Sequence, residues 1–207
     1  MAAGGFMVRR LAWCALLVGM AASVTAGGPA DGPRTIDKTG SKIEFRAKAT
    51  FAKADGVFRE WDAELRMPGD TLEGASLRLK LNTESVTTGN GTKDKEIKSK
   101  NFFDVKVFPD IQFISTKVSP GPDAFKFVMD GDMTLRGITK PVTLTILAHP
   151  VAAGHQLIEG QIAFNRRDFG MTHNVPFNKV ADEVEVEIRL NVVSGATAAE
   201  GAPETGE

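Results

Sequence analysis

The residues in this chain that could do chemistry are few and lie far apart. Its single cysteine, Cys14, sits inside an N-terminal apolar run. The histidines His149, His155 and His173 match no metal-ligand spacing and are expected on the surface. No nucleophile has a base at a motif spacing: G-x-S-x-G, H-E-x-x-H and a phosphate-binding glycine loop are all missing from the sequence. Carboxylates are abundant, but they occupy alternate positions of extended segments and should face water. A pair set for glycoside hydrolysis would have to arise by coincidence. These residue types predict a binding protein without catalytic residues, metal or cofactor.

Three other groups could recognise a ligand. In Arg166-Arg167-Asp168-Phe169-Gly170, a charged pair stands beside an aromatic ring. Arg167 could fork onto the phosphate of a lipid head, or it could pair with acidic neighbours and tie down a loop. Lys93, Lys95, Lys98 and Lys100 could face an anionic membrane; Asp94 and Glu96 offset them, which favours a solvated helix face. Large, soft residues fall on apolar faces throughout: Phe45, Phe51, Trp61, Phe113, Phe125, Phe127, Met129 and Met133. They could fill a core or line a slot.

The ends of the chain set the compartment. Arg9 and Arg10 precede the apolar run Leu11–Ala22, and Val24-Thr25-Ala26 forms a small-residue cleavage site. The run is shorter than the roughly 20 residues a bilayer span needs. A lipid-attachment cysteine should end such a run, whereas most of it follows Cys14. Residues 1–26 therefore read as an export signal and 27–34 as a flexible leader. Residues 35–193 form one domain, and 194–207 a disordered tail of Gly, Ala, Thr and Glu. Loss of Arg9 and Arg10 takes 25 basic residues to 23 against 26 acidic ones, a net charge of −3. That balance excludes nucleic acid as a partner. The exported chain keeps no cysteine, so a buried core rather than disulfides must stabilise it in the periplasm or outside the cell.

The body alternates polar and apolar residues with period two. Ser41–Phe51 sets Ile43, Phe45, Ala47, Ala49 and Phe51 against Lys42, Glu44, Arg46, Lys48 and Thr50. The pattern returns in 57–67, 76–81, 111–118, 124–135, 141–148, 155–164 and 183–192. These are eight strands, each with one wet face, joined by turns such as Pro68-Gly69-Asp70, which implies antiparallel pairing. An open sheet would leave two long edges, and closure into an antiparallel eight-stranded barrel removes them. A two-sheet sandwich gives the same alternation. One helix is expected over Thr92–Phe103, with Thr92 as N-cap and Asp94–Lys98 and Glu96–Lys100 as i,i+4 pairs. It should lie across a barrel mouth with Phe102 or Phe103 tucked inside. Gly137-Ile138-Thr139-Lys140-Pro141 reads as a hairpin turn.

Four blocks follow one another through this body: Ile97-Lys98-Ser99-Lys100-Asn101-Phe102-Phe103-Asp104, Phe108-Pro109-Asp110-Ile111-Gln112-Phe113-Ile114-Ser115-Thr116, Gly131–Val142, and Arg166–Gly170. Their order and spacing resemble the YceI-like family of secreted bacterial proteins, over roughly Thr35 to Val193. In that pattern Arg167 is the matching arginine before Asp, Phe and Gly. The resemblance implies a lipocalin-like barrel that carries a long apolar chain: a polyisoprenoid, an isoprenoid quinone or a fatty acyl derivative. It implies a ligand site built from Phe45, Phe51, Trp61, Leu79, Phe102, Phe103, Phe113, Phe127, Met129, Arg167, Phe169 and Met171. Partners would be that lipid, a membrane touched transiently and a second copy in a homodimer. The competing class is a filled barrel that acts through its outer surface without a ligand.

Overall fold

The computed structural model describes residues 32–50, 54–69, 71–150, 155–174 and 179–193. The expected export signal, the leader up to residue 31, Phe51 and the tail from residue 194 lie outside them. The elements are β1 (Gly32–Ala49), β2 (Ala54–Phe58), β3 (Trp61–Met67), β4 (Ser76–Asn82), β5 (Val86–Thr87), α1 (Gly91–Lys98), β6 (Asp110–Pro120), β7 (Lys126–Leu135), β8 (Ile138–Pro150), β9 (His155–Asn165) and β10 (Val180–Val193).

All pairings are antiparallel, and the sheet closes on itself through β10 and β1, with Phe45 opposite Val186 and Ile43 opposite Ile188. Closure decides for a barrel over a sandwich. β2 and β3 act as one stave: Ala54–Phe58 pairs with Ile43–Ala47, and Leu65–Met67 pairs with Gly32–Arg34. The wall thus has eight staves, with β5 a two-residue addition to the edge of β2.

The alternation predicts the wall well because one face of each strand must leave water. It misses where a strand bends. β1 begins at Gly32 rather than Ser41, so Gly32, Pro33 and Arg34 belong to the sheet rather than to the leader. A bulge between Asp37 and Lys42 breaks the period there and hides the continuity. Opposite it, the β2–β3 stave breaks at Arg59-Glu60. Lys38 Nζ fills the gap, donating to the Trp61 carbonyl at 2.8 Å and to Asp62 Oδ1 at 2.6 Å, and lying 5.3 Å from the centre of the Trp61 ring. Phe125, expected on the inner face, precedes β7 and is 52 % exposed.

The helix is shorter than expected and starts earlier. Asn90, not Thr92, is its N-cap, its side-chain oxygen accepting from the Thr92 and Lys93 amides at 3.1 Å each. It ends at Lys98, leaving Phe102 and Phe103 in the following turns. The Asp94 carboxylate accepts from Thr87 Oγ1 at 2.7 Å and from the Thr88 amide and hydroxyl at 2.6 Å each, while Lys98 pairs with Glu84. Burial pulls the Asp94 pKa up, but the bonds from Thr88 and Thr87 and the charge of Lys98 outweigh it and hold the carboxyl below its ordinary range. Asp94 thereby ties α1 to the strand edge before it.

Candidate functional site

The inward residues divide the barrel. Toward one end, Leu65, Met67, Leu72, Leu77, Met129, Ile146, Leu190 and Val192 are all nearly water-free and take no part in lining the cavity at the other end. Toward the end that α1 covers, the inner faces of β1, β2, β4, β6–β10 enclose a cavity of about 350 Å³. Its wall is apolar, formed by residues such as Ile43, Leu81, Met133, Leu144, Ile162 and Ile188. That volume lies in the range of small-molecule sites.

Polar groups gather only at the mouth. α1 presents Thr92, Lys93, Glu96 and Ile97 to the cavity, and Arg166 reaches it from the turn after β9. Three rings close the lid from within. Phe103 lies 6.2 Å from Phe45 and 5.9 Å from Phe58, and Phe45 lies 6.0 Å from Phe58, centroid to centroid. The β7–β8 hairpin holds the lid from outside: Arg136 donates to the carbonyls of Lys100, at 3.0 Å, and of Phe102. Arg136 and Gly137 both have positive φ, 53° and 71°, as a two-residue hairpin turn of this hand requires. The turn is therefore Arg136-Gly137, and Ile138 to Pro141, expected within it, already belong to β8. On the third side, His173 Nε2 lies 3.8 Å from Glu96 Oε1, and its ring stands edge-on to Phe102.

Of the residues named from sequence, Phe45, Leu79, Phe102, Phe103, Phe113 and Met171 line the cavity. Trp61, Phe127, Met129, Arg167 and Phe169 do not, and each has a physical reason. Trp61 is held at the wall gap under Lys38. Phe127 and Met129 lie on the part of β7 that crosses the solid half. Phe169 is 1 % exposed and packs edge-on against Phe164 at 5.4 Å, so it backs the wall and frames no entrance.

Arg167 takes the second of the two roles open to it, pairing with an acidic neighbour, and Arg166 carries the larger structural load. Arg167 is half-exposed and pairs with Asp182, Nε to Oδ1 at 2.7 Å. Arg166 is the buried one, 2 % exposed. Its Nε donates to the Ala181 carbonyl, its Nη1 to those of Met171 and His173, and its Nη2 to the Val180 carbonyl and to Asp182 Oδ1. All five N–H donors are thus engaged, so this guanidinium has none left to offer a lipid phosphate. It locks the end of β9 to the start of β10. Burial is the largest influence on Arg166 and lowers its pKa; Asp182 opposes this and Arg167 adds to it. The hydrogen bond from Arg167 is the main cause that holds Asp182 below the usual carboxylate range. Burial works against it, and the charges of Arg167, Arg166 and Lys179 work with it.

Sequence reasoning missed Phe58, Leu135, Phe164 and Arg166 among the lining residues. Phe58 had a readable signal. Two consecutive charged residues, Arg59 and Glu60, shift the phase of the stave, so Phe58 and Trp61 both turn inward.

The YceI-like domain family matches residues 35–192 of this chain. A UPF0312 protein of Pseudomonas fluorescens is 34 % identical over 168 residues, covering 75 % of this chain and 84 % of the relative. Among solved structures, Burkholderia cenocepacia BcnA superposes with a TM-score of 0.70 at 21 % identity, over 76 % of this chain and 99 % of that one. A polyisoprenoid binding domain from Saccharophagus degradans, implicated in plant cell wall breakdown, gives a TM-score of 0.60 at 12 % identity, over 80 % and 100 %. These structures share the barrel. With its domain matched almost from end to end, the chain belongs to the YceI-like family.

Proposed function

We propose that the protein binds a long apolar chain in the hollow half of its barrel and carries or sequesters it without chemical change. The observation that carries this is the apolar cavity of about 350 Å³, bordered at its partly open mouth by a helix. The polyisoprenoid binding of the Saccharophagus degradans neighbour supports the same class of ligand: a polyisoprenoid, an isoprenoid quinone or a fatty acyl derivative. The mechanism is desolvation, worth about 0.8 kcal/mol gross for each methylene transferred. After ordering costs, at ~0.3 kcal/mol per heavy atom, a ligand of some 25 atoms binds with about 7 to 8 kcal/mol, a micromolar affinity. The polar head stays at the mouth near Thr92, Lys93 and Glu96. Arg166 shapes that mouth and does not hold the head, because its donors are spent on the chain's own carbonyls and Asp182. A hollow half sits poorly with the alternative of a filled barrel acting through its outer surface.

We place the protein in the periplasm or outside the cell, exported through residues 1–26. N-terminal sequencing of the exported protein is expected to start at or near Gly27, and a start at Met1 or Ala2 would contradict export by cleavage. Native mass spectrometry of the protein purified from its host tests the binding. The expected result is a population heavier by the mass of a lipid; only apo protein, also after incubation with isoprenoid and fatty acyl chains, would overturn it.

A further inference from the structure

Two glycines make room for the cavity. Phe45 pairs with Gly56 across β1 and β2. A Cβ built on Gly56 would stand 2.6 Å from Phe45 Cζ and closer still to Cε1. Phe113 on β6 covers Gly131 on β7 in the same manner: a Cβ there would stand 2.5 Å from Phe113 Cε2 and closer to Cζ. Side-chain carbons in contact sit near 4 Å, so each ring occupies the space a side chain would take. Neither glycine has a positive φ, so backbone conformation does not demand glycine at either position. At Gly56 the ring is the closest obstacle, whereas at Gly131 the Ile114 carbonyl oxygen, 2.6 Å from the added Cβ, demands glycine together with the ring. By contrast a Cβ on Gly160, also in the wall, would meet Ile188 Cβ at 3.6 Å and Leu144 Cδ2 at 3.8 Å, ordinary packing.

We propose that Gly56 and Gly131 set the width of the ligand cavity, and through it the protein's preference for methyl-branched, isoprenoid-like chains over straight ones. The inference rests on the binding function proposed above and deepens it. Phe45 and Phe113 both line the cavity. While each lies down over a glycine, its flat face forms the wall. A methyl group on the glycine lifts the ring off the backbone, and the only open direction is the lumen, since Phe58 and Phe103 already flank Phe45. A branched chain needs the lost width first; a straight chain still fits beside the raised ring.

The test uses two probes on the full exported chain: a fluorescent straight polyene fatty acid, and a methyl-branched isoprenoid alcohol of similar length measured by competition. Gly56→Ala is expected to weaken the branched chain by about tenfold or more while the straight chain changes by less than about threefold. Gly56→Ala combined with Phe45→Leu, which removes the ring, should restore the branched chain. The Thr87 carbonyl lies 3.1 Å from the added methyl and could prevent folding of the single variant. Phe45→Trp then makes the same test, because an indole is too large to lie over Gly56 and must enter the lumen. Unchanged affinities in a folded variant, or an equal loss for both chains, overturn this inference and leave the binding function standing. A wild-type protein that binds neither probe overturns both.

Discussion

The two halves of the barrel share the same strands and the same alternation, yet one is solid and the other hollow. On β10, Leu190 and Val192 belong to the solid half, while Ile188, Val186 and Val184 line the cavity. On β7, Met129 is packed and Met133 faces the space. The difference lies in what the inner faces carry. Apart from the ring of Phe127, the solid half relies mainly on Leu, Met, Ile and Val, flexible aliphatic chains that adapt to one another and close-pack. The hollow half concentrates rings (Phe45, Phe58, Phe102, Phe103, Phe113 and Phe164) and lays two of them over glycines. Rigid flat groups pressed against a wall do not fill the middle. A barrel can thus have a site without any break in its strand pattern, by choosing the shape of its inward residues.

The largest effects are expected where that distinction is violated. Leu190→Ala opens a new void in the solid half and should cost about 2 to 5 kcal/mol in urea unfolding, with chain binding retained where the protein is still folded. Phe169→Ala should behave likewise, at about 3 to 5 kcal/mol, because that ring is buried behind the wall. Phe103→Ala removes a ring that already borders empty space. It should cost well under half as much and instead speed uptake and release of a fluorescent polyene chain. Slow exchange in Phe103→Ala together with a drop in stability as large as that of Phe169→Ala would place both rings in ordinary core.

The arginines sharpen the comparison at the mouth. Arg166→Met takes the buried donor from four carbonyls, leaving Asp182 only its pair with Arg167, and is expected to lose about 3 to 5 kcal/mol by thermal or urea unfolding. Arg167→Met removes one half-exposed ion pair and should lose no more than about 1 kcal/mol. Equal losses would mean that Asp182, which both arginines share, is the group that matters.

Acid should open the hollow end before the solid one. Asp94 and Asp182 both brace the mouth, and both are held below the ordinary 3.8. A carboxyl depressed in the folded state contributes stability that is present above its unfolded pKa and lost as pH falls through the folded value. The loss therefore begins below about pH 3.8. Hydrogen exchange should show α1 and the start of β10 losing protection there while the solid-half segments of β3, β7 and β10 keep theirs. Glu159, also depressed, mainly by its hydrogen bond from Arg189, works away from the mouth and should act on the outer wall alone.

Much of the wall was legible in the sequence, because burying one face of a strand forces period two, and Ser41–Phe51 or Glu183–Val192 cannot satisfy it in any other way. The closing lid was legible too, in Ile97 and the Phe102-Phe103 pair. The solid and hollow halves were not. Phe113 and Phe127 look alike in an alternating run, and only the backbone opposite each tells whether a ring lies down. Trp61 was expected to line the slot because nothing in the sequence shows the bulge in β1, nineteen or more residues away, beside which Lys38 caps its ring. Arg166 was passed over for Arg167 because adjacent residues of a 3-10 turn face opposite ways, and no periodicity says which one is inside.

Methyl-resolved NMR compares the two halves directly. With leucine, isoleucine and valine methyls assigned, an isoprenoid chain is titrated into the protein. The methyls of Leu79, Leu81, Leu135, Leu144 and Ile188, which border the cavity, are predicted to shift and to show contacts with the chain. Those of Leu65, Leu77, Leu190 and Val192 are predicted to stay within a small fraction of those shifts. Shifts spread evenly over both halves, or confined to the outer surface, would contradict a chain held in the hollow half.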